Sequence, residues 1–267
     1  MKTGKVIVLH SYKGGTGKTT LVANLAATYA NNGYKVCLLD MDIYAPSLCS
    51  YFRKTPRAYL NDLIEGKAGI EETIFNVSDG LNLKGELHLG LASPRKEDIQ
   101  DIEIRHDQKW QLSALKQFLS IKRQLLNEHG FDFIFLDTSP GIRFWSINSL
   151  AASDIMLMLM KINDMDIDGT KKMITEIYDS LTRFGSKNYL ILNKVGGASP
   201  REEYNEPSSI ATIEEEISKA VDMPVILSIP CYCDLQFNRH EYLSAINMPT
   251  HGFALKVKEL VEKLDKF

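Results

Sequence analysis

The 267-residue chain predicts an α/β fold: a single domain built on one mostly parallel sheet with helices on both faces. Three observations predict it. Short apolar runs alternate with longer helical patterns from end to end. The runs at 36–39 (Val-Cys-Leu-Leu), 155–160 (Ile-Met-Leu-Met-Leu-Met) and 189–192 (Tyr-Leu-Ile-Leu) lack the alternation of a half-exposed strand, which suits parallel strands covered on both sides. Finally, a glycine-rich stretch, Lys13-Gly14-Gly15-Thr16-Gly17-Lys18-Thr19-Thr20, follows an apolar run at 6–9 and precedes a helical pattern carried by Leu21, Val22, Leu25, Ala26 and Tyr29. A strand, a glycine turn and a helix start are what a phosphate cradle needs. Glycines let backbone N–H groups approach the phosphates, and the helix N-terminus adds partial positive charge. Lys18 is placed to reach the β- and γ-phosphates, and the Thr19 hydroxyl to ligate Mg²⁺.

The first strand is expected over 5–10, and the helix after the loop stops at Asn31-Asn32-Gly33, a good C-terminal signal. The second strand, 35–40, ends in Asp40-Met41-Asp42-Ile43-Tyr44-Ala45-Pro46-Ser47. Carboxylates at the C-terminal end of a strand beside such a loop face the site crevice. Residues 59–74 read as helical around Gly66 and Gly69, followed by a strand at 87–91 and a polar stretch at 96–105. A long amphipathic helix is expected over 110–129, with Leu112, Leu115, Leu119 and Leu126 forming much of its apolar stripe and Phe118, Ile121 and Leu125 broadening it. The apolar strand from 131 ends at Asp137, where a carboxylate can hold a magnesium-bound water beside the γ-phosphate. Thr138-Ser139-Pro140-Gly141 then forms a tight turn.

A short helix at 146–152 leads to the methionine-rich strand 155–160, read as core rather than as a cargo groove. A helix follows at 168–184. The strand at 189–192 runs into Asn193-Lys194-Val195-Gly196. An N-K-x-D sequence would place an aspartate against guanine; Gly196 has no acceptor, whereas Asn193 can both donate to and accept from an adenine edge. The base preferred is therefore adenine. A Gly/Ser/Pro/Glu-rich loop spans 197–209, a helix 210–221, and the last strand 224–229. The final helix, 251–267, balances Lys256, Lys258, Lys263 and Lys266 against Glu259, Glu262 and Asp265, which suits a helix packed on the sheet better than one lying on a membrane surface.

The formal charge of −3 and pI near 6.1 disfavour direct nucleic-acid binding over the whole surface. No apolar run reaches membrane-spanning length, and no leader is evident, so a cytoplasmic protein with free thiols is expected. Cys231 and Cys233 stand at C-x-C spacing without a second cysteine pair beside them, which reads as ordinary loop thiols. No repeat or composition shift divides residues 1–267 into two domains.

The segment x-K-G-G-x-G-K-T-T, with Tyr12 where a P-loop's first glycine usually stands and an extra Lys13 after it, resembles the deviant Walker A loop of the MinD/ParA class of ATPases. The D-x-D-x-x-x-P-S segment at 40–47 is similar to that family's switch I, and most similar to its Mrp branch; residues 138–141 resemble its switch II. The resemblance implies ATP and Mg²⁺ as cofactors, bound by Gly14, Gly15, Thr16, Gly17, Lys18, Thr19 and Thr20. It implies that Asp42 positions the attacking water and that Thr19, Asp40 and Asp137 serve the magnesium. Asn193 and the Ser228-Ile229-Pro230 turn would lie near adenine. Lys13 would reach across an ATP-dependent homodimer to the partner's nucleotide. The expected function is a slow ATPase switch that positions or partitions a protein cargo and is stimulated by an activating partner. A maturation or delivery ATPase of Mrp or metal-insertion type, or a nucleotide-sensing adaptor, stands as the alternative.

Overall fold

The computed structural model describes residues 4–104, 108–181, 186–196, 207–236 and 243–267. Most of the loop expected at 197–209 lies outside them, as do residue 105 and the end of the helix expected at 168–184. The strands are β1 (Lys5–His10), β2 (Lys35–Met41), β3 (Ile74–Asn76), β4 (Glu86–Gly90), β5 (Phe133–Thr138), β6 (Ile155–Met160), β7 (Lys187–Val195) and β8 (Val225–Pro230). The helices are α1 (Lys18–Asn31), α2 (Leu48–Phe52), α3 (Leu60–Ile64), α4 (Ile70–Thr73), α5 (Lys96–Ile104), α6 (Gln108–Asn127), α7 (Phe144–Ala151), α8 (Asp164–Leu181), α9 (Pro207–Val221), α10 (Cys233–Gln236), α11 (Ser244–Asn247) and α12 (Gly252–Leu264).

All eight strands join one sheet in the order β3-β4-β2-β5-β1-β6-β7-β8. Every pairing is parallel except β3 against β4. Both faces are buried, with successive residues entering opposite layers. Val6, Val8, Ile134, Leu136, Met156, Met158 and Met160 join one core with Phe118, Ile121 and Trp145. Ile7, Leu9, Phe133, Phe135, Leu157 and Leu159 join the other with α1 and α12. The methionine strand is thus core, as its continuous apolar run implied.

Two expectations are corrected. Residues 59–74 do not form one helix. Gly66 adopts φ 71° and ends α3, and Gly69 caps α4. Ile74 then opens an antiparallel edge strand, with Ile74 opposite Gly90. Nor does the Leu112/Leu119 row lead the stripe of α6. Ala114, Phe118, Ile121 and Leu125 are buried, while Leu112 and Leu119 are 54% and 44% exposed. The two rows lie about 100° apart on a helix; the sheet surface, not the periodicity, selected the one carrying Phe118.

The closing helix α12 packs as expected. Phe253, Val257, Leu260, Val261 and Leu264 are buried, and its Lys256 and Lys263 both pair with Glu259, at 2.8 Å and 3.0 Å. Among the described residues, no helix is long and apolar enough to cross a membrane.

The C-terminal end of β1 is locked to β5 through a buried polar chain. The Thr138 hydroxyl donates to the Leu9 carbonyl at 2.8 Å, so its oxygen is left to accept from His10 Nδ1 at 2.7 Å. That bond selects the Nδ1–H tautomer. Burial, aided by the Lys18 charge and opposed by the Gly141 backbone, lowers the His10 pKa to about 3.

Two outcomes follow for stability. Phe118→Ala should cost about 3–5 kcal/mol through loss of packing and a residual cavity, whereas Leu119→Ala should cost under about 1 kcal/mol; urea unfolding midpoints compare the two. For His10, the unfolded chain takes up a proton below about pH 6.5 while the folded chain does not. Its contribution is therefore full above that pH and lost as pH falls toward 3, by about 2 kcal/mol at pH 5. The loss of stability from pH 7 to pH 5 should be correspondingly shallower in His10→Asn than in the parent.

Candidate functional site

The C-terminal ends of β1, β2 and β5 meet at one edge of the sheet. The register places Asp40 opposite Asp137, and Asp137 opposite Leu9. The glycine loop leaves β1 at this edge and delivers the chain into α1. Gly17 caps the helix at φ 95°, ψ 21°, a left-handed conformation natural to glycine. A Cβ there would stand 2.6 Å from Asn193 Nδ2. Gly14, Gly15, Gly17, Lys18, Thr19 and Thr20 line a cleft of about 660 Å³, whose other wall includes Asp42, Ala45, Ser47 and Pro140.

Lys18 is 7% exposed, and its ammonium donates to Ser11 Oγ at 2.8 Å. Ser11 in turn donates to the Lys13 carbonyl at 2.6 Å. Burial lowers the Lys18 pKa, while the charges of Asp137 and Asp42 oppose that shift. A cation held inside the loop with only a neutral partner is prepared to receive anionic oxygens from the cleft.

The three acids have different environments. Asp137 is fully buried, and among the described residues neither of its carboxylate oxygens completes a hydrogen bond, although the Thr19 hydroxyl lies close enough to favour its charged form. Burial, with the Asp42 charge adding to it, raises its pKa to about 7, against the Thr19 hydroxyl and the Lys18 charge. The Thr19 hydroxyl itself sits 3.2 Å from Ser47 Oγ. Asp40 spends both oxygens on the following loop: Oδ1 accepts from the Asp42 amide at 3.2 Å and Oδ2 from the Leu48 amide at 3.1 Å. Burial, followed by the Asp137 charge, raises its pKa. Asp42 faces the cleft and accepts from Ser139 Oγ at 2.6 Å and from the Ala45 amide at 3.2 Å, both at Oδ1.

A hard dication fits this edge. Two orphaned carboxylate oxygens on Asp137 and a hydroxyl on Thr19 are oxygen donors beside a phosphate-shaped cleft. Magnesium characteristically takes one or two such protein ligands and completes its shell with water and phosphate. Among the described residues, no three His, Cys, Asp or Glu side chains converge as an all-protein metal site. Cys231 and Cys233 form no disulfide among the described residues.

Other residues singled out in the sequence stand further from the cleft. Asn193 is buried and donates from Nδ2 to the Thr16 carbonyl at 2.6 Å, clamping the glycine loop from β7. Pro230 ends β8 opposite Val195 and is not among the described residues lining the cleft. Lys13 is turned away, its ammonium 3.3 Å from the carboxylate of Asp166 at the start of α8. Asp166 also accepts from Asn163 Nδ2 at 3.2 Å. Sequence reasoning missed the hydroxyls of Ser11 and Ser47 and the cleft-lining Arg53 and Lys194. Ser47 and Lys194 had been read only as parts of longer motifs. Arg53 carries no local signal.

The AAA domain family model matches residues 4–188. Among curated proteins, the chain is 29% identical over 196 residues to a putative tyrosine-protein kinase CapB of Staphylococcus aureus, covering 72% of this chain and 75% of that one. It is 34% identical over 146 residues to an iron-sulfur cluster carrier protein of Methanococcus maripaludis, covering 55% and 45%. The chain spans 64% of the length of one Methanocaldococcus jannaschii relative and about half that of several others. Among solved structures, the septum site-determining protein MinD of Pyrococcus horikoshii, complexed with Mg-ADP, superposes with a TM-score of 0.74 at 20% identity over 98% of this chain and 96% of that one. With the family model covering well over half its length, the chain belongs to the AAA domain family, with the fold and P-loop of MinD/ParA-type proteins.

Proposed function

We propose that this protein binds Mg·ATP, hydrolyses it slowly, and uses the two nucleotide states as a dimerisation switch for positioning or partitioning a protein cargo. The observation that carries the reading is the pairing of a buried Lys18 on one side of the cleft with Asp42 on the other. One is aimed at phosphate charge and the other at the space where a water would attack. In P-loop enzymes, positioning and electrostatic stabilisation supply most of the catalysis. Here Lys18 and the amides of residues 14–20 hold the phosphates and stabilise charge developing on them. Thr19 and Asp137 would hold Mg²⁺, which when bound neutralises phosphate charge. Asp40 acts indirectly, by fixing the backbone that carries Asp42. Asp42 orients the water. Gly196 offers no acceptor to a guanine, which leaves adenine as the base.

Lys13 has a separate part. Its ammonium is held by Asp166 within the same chain, and reaching a second protomer's nucleotide requires it to leave that partner. Dimerisation around ATP supplies the competing anion. The modest net charge of −3 favours a protein as the anchor and activator over nucleic acid, and the packed α12 offers little to a membrane surface.

A maturation or delivery role has one observation in its favour, the relative named as an iron-sulfur cluster carrier. The C-x-C spacing at Cys231 and Cys233 weighs against it. Iron content of protein purified without oxygen separates the two readings.

The switch is tested by light scattering on Asp42→Ala, first with ADP and then with Mg·ATP. A monomer with ADP and a stable dimer with ATP are expected; a monomer with ATP demonstrably bound would sink the dimer switch. Lys13→Ala should keep the monomer's nucleotide affinity and lose hydrolysis. Retained turnover in that variant removes the role in trans.

A further inference from the structure

The turn after β5 does more than border the cleft. Ser139 is 1% exposed, and its hydroxyl donates to Asp42 Oδ1 at 2.6 Å. This bond joins the segment after β5 to the segment after β2 across 97 residues of sequence. Ser139 is itself fixed from behind. Its carbonyl accepts from Ser146 Oγ at 2.8 Å, a fully buried side chain of α7. Two residues on, the Gly141 amide donates to the Ser11 carbonyl at 2.9 Å, and Ser11 is the residue whose hydroxyl holds Lys18. Between them Pro140 lines the cleft, with Cγ 3.9 Å from the position of a Cβ on Gly14.

The consequence falls on Asp42. Its Oδ1 takes both the Ser139 hydroxyl and the Ala45 amide, and among the described residues nothing donates to Oδ2. A carboxylate anchored through one oxygen by two donors from different segments has its plane set and its second oxygen directed. The Ala45 bond alone is local, three residues away on the same loop, and moves with that loop. The Ser139 bond is the one that refers Asp42 to the framework of β5, α7 and the glycine loop.

We propose that Ser139 is a positioning residue for hydrolysis. Its hydroxyl holds Asp42 so that the free oxygen faces the attacking water, and it ties that orientation to the 139–141 turn that contacts the glycine loop. The inference rests on the reading of Asp42 as the residue that orients the water. Ser139 is not among the described residues lining the cleft, so its hydroxyl contributes to turnover and not to nucleotide affinity.

The test is single-turnover ATP hydrolysis and equilibrium binding of fluorescent ATP, both with Mg²⁺, on the parent, Ser139→Ala and Asp42→Ala. Losing one hydrogen bond to a charged group that matters only in the transition state should slow Ser139→Ala about tenfold, with the dissociation constant unchanged within about twofold. Equal rates in parent and Ser139→Ala, at whatever level, overturn the inference, provided Asp42→Ala is slower than both. Affinity falling in step with rate also overturns it, since that is the mark of general damage to the cleft. Parental turnover in Asp42→Ala removes the underlying role of Asp42 and the inference with it.

Discussion

The buried ammonium of Lys18 is the constraint from which the rest of the site follows. A cation drawn almost completely out of water is costly unless anions and dipoles compensate it. In the nucleotide-free chain its direct partner is the neutral hydroxyl of Ser11, with the charges of Asp137 and Asp42 acting over a longer range. The proposed triphosphate would add negative charge beside it. Asp137 is the acidic counterpart: among the described residues its buried oxygens complete no hydrogen bond. The two sides of the cleft thus carry the charges that the proposed magnesium nucleotide would match.

This pairing exists because three parallel strands end level. β1, β5 and β2 are neighbours, and their register sets Asp40 beside Asp137. The Asp137 charge at that spacing raises the Asp40 pKa beyond what burial alone does. Asp40 relieves its share by accepting from two backbone amides, which converts an electrostatic burden into a fixed loop. Asp137 has no such outlet. Division of labour between chemically identical side chains thus arises from hydrogen-bond supply, not from residue type.

The site is also assembled from parts that hold one another. Asn193 grips the glycine loop from β7 through the Thr16 carbonyl. The turn after β5 grips it through Ser11 and reaches over to Asp42. Lys13, by contrast, is held on Asp166. The inner groups of the cleft are cross-braced, while this cation is tied to α8 instead.

The glycine stretch, the acids closing β2 and β5, and the alternation of apolar runs with helices determined the fold class and the cradle from sequence alone, because these features are local. A left-handed cap needs its glycine wherever it occurs, and a strand buried on both faces must be apolar at every position. The two expectations that failed depended on a neighbour. Only the sheet surface could choose Phe118 over Leu119 on α6, and only the edge of β4 could draw Ile74 out of the end of a helical pattern and into a strand. The same is true within the site. Asp40 and Asp42 are two residues apart and of one residue type, and their hydrogen-bond partners cannot be read from the sequence. Tertiary structure gave one to the backbone and the other to Ser139, because hydrogen-bond partners separated by 97 residues leave no trace in local composition.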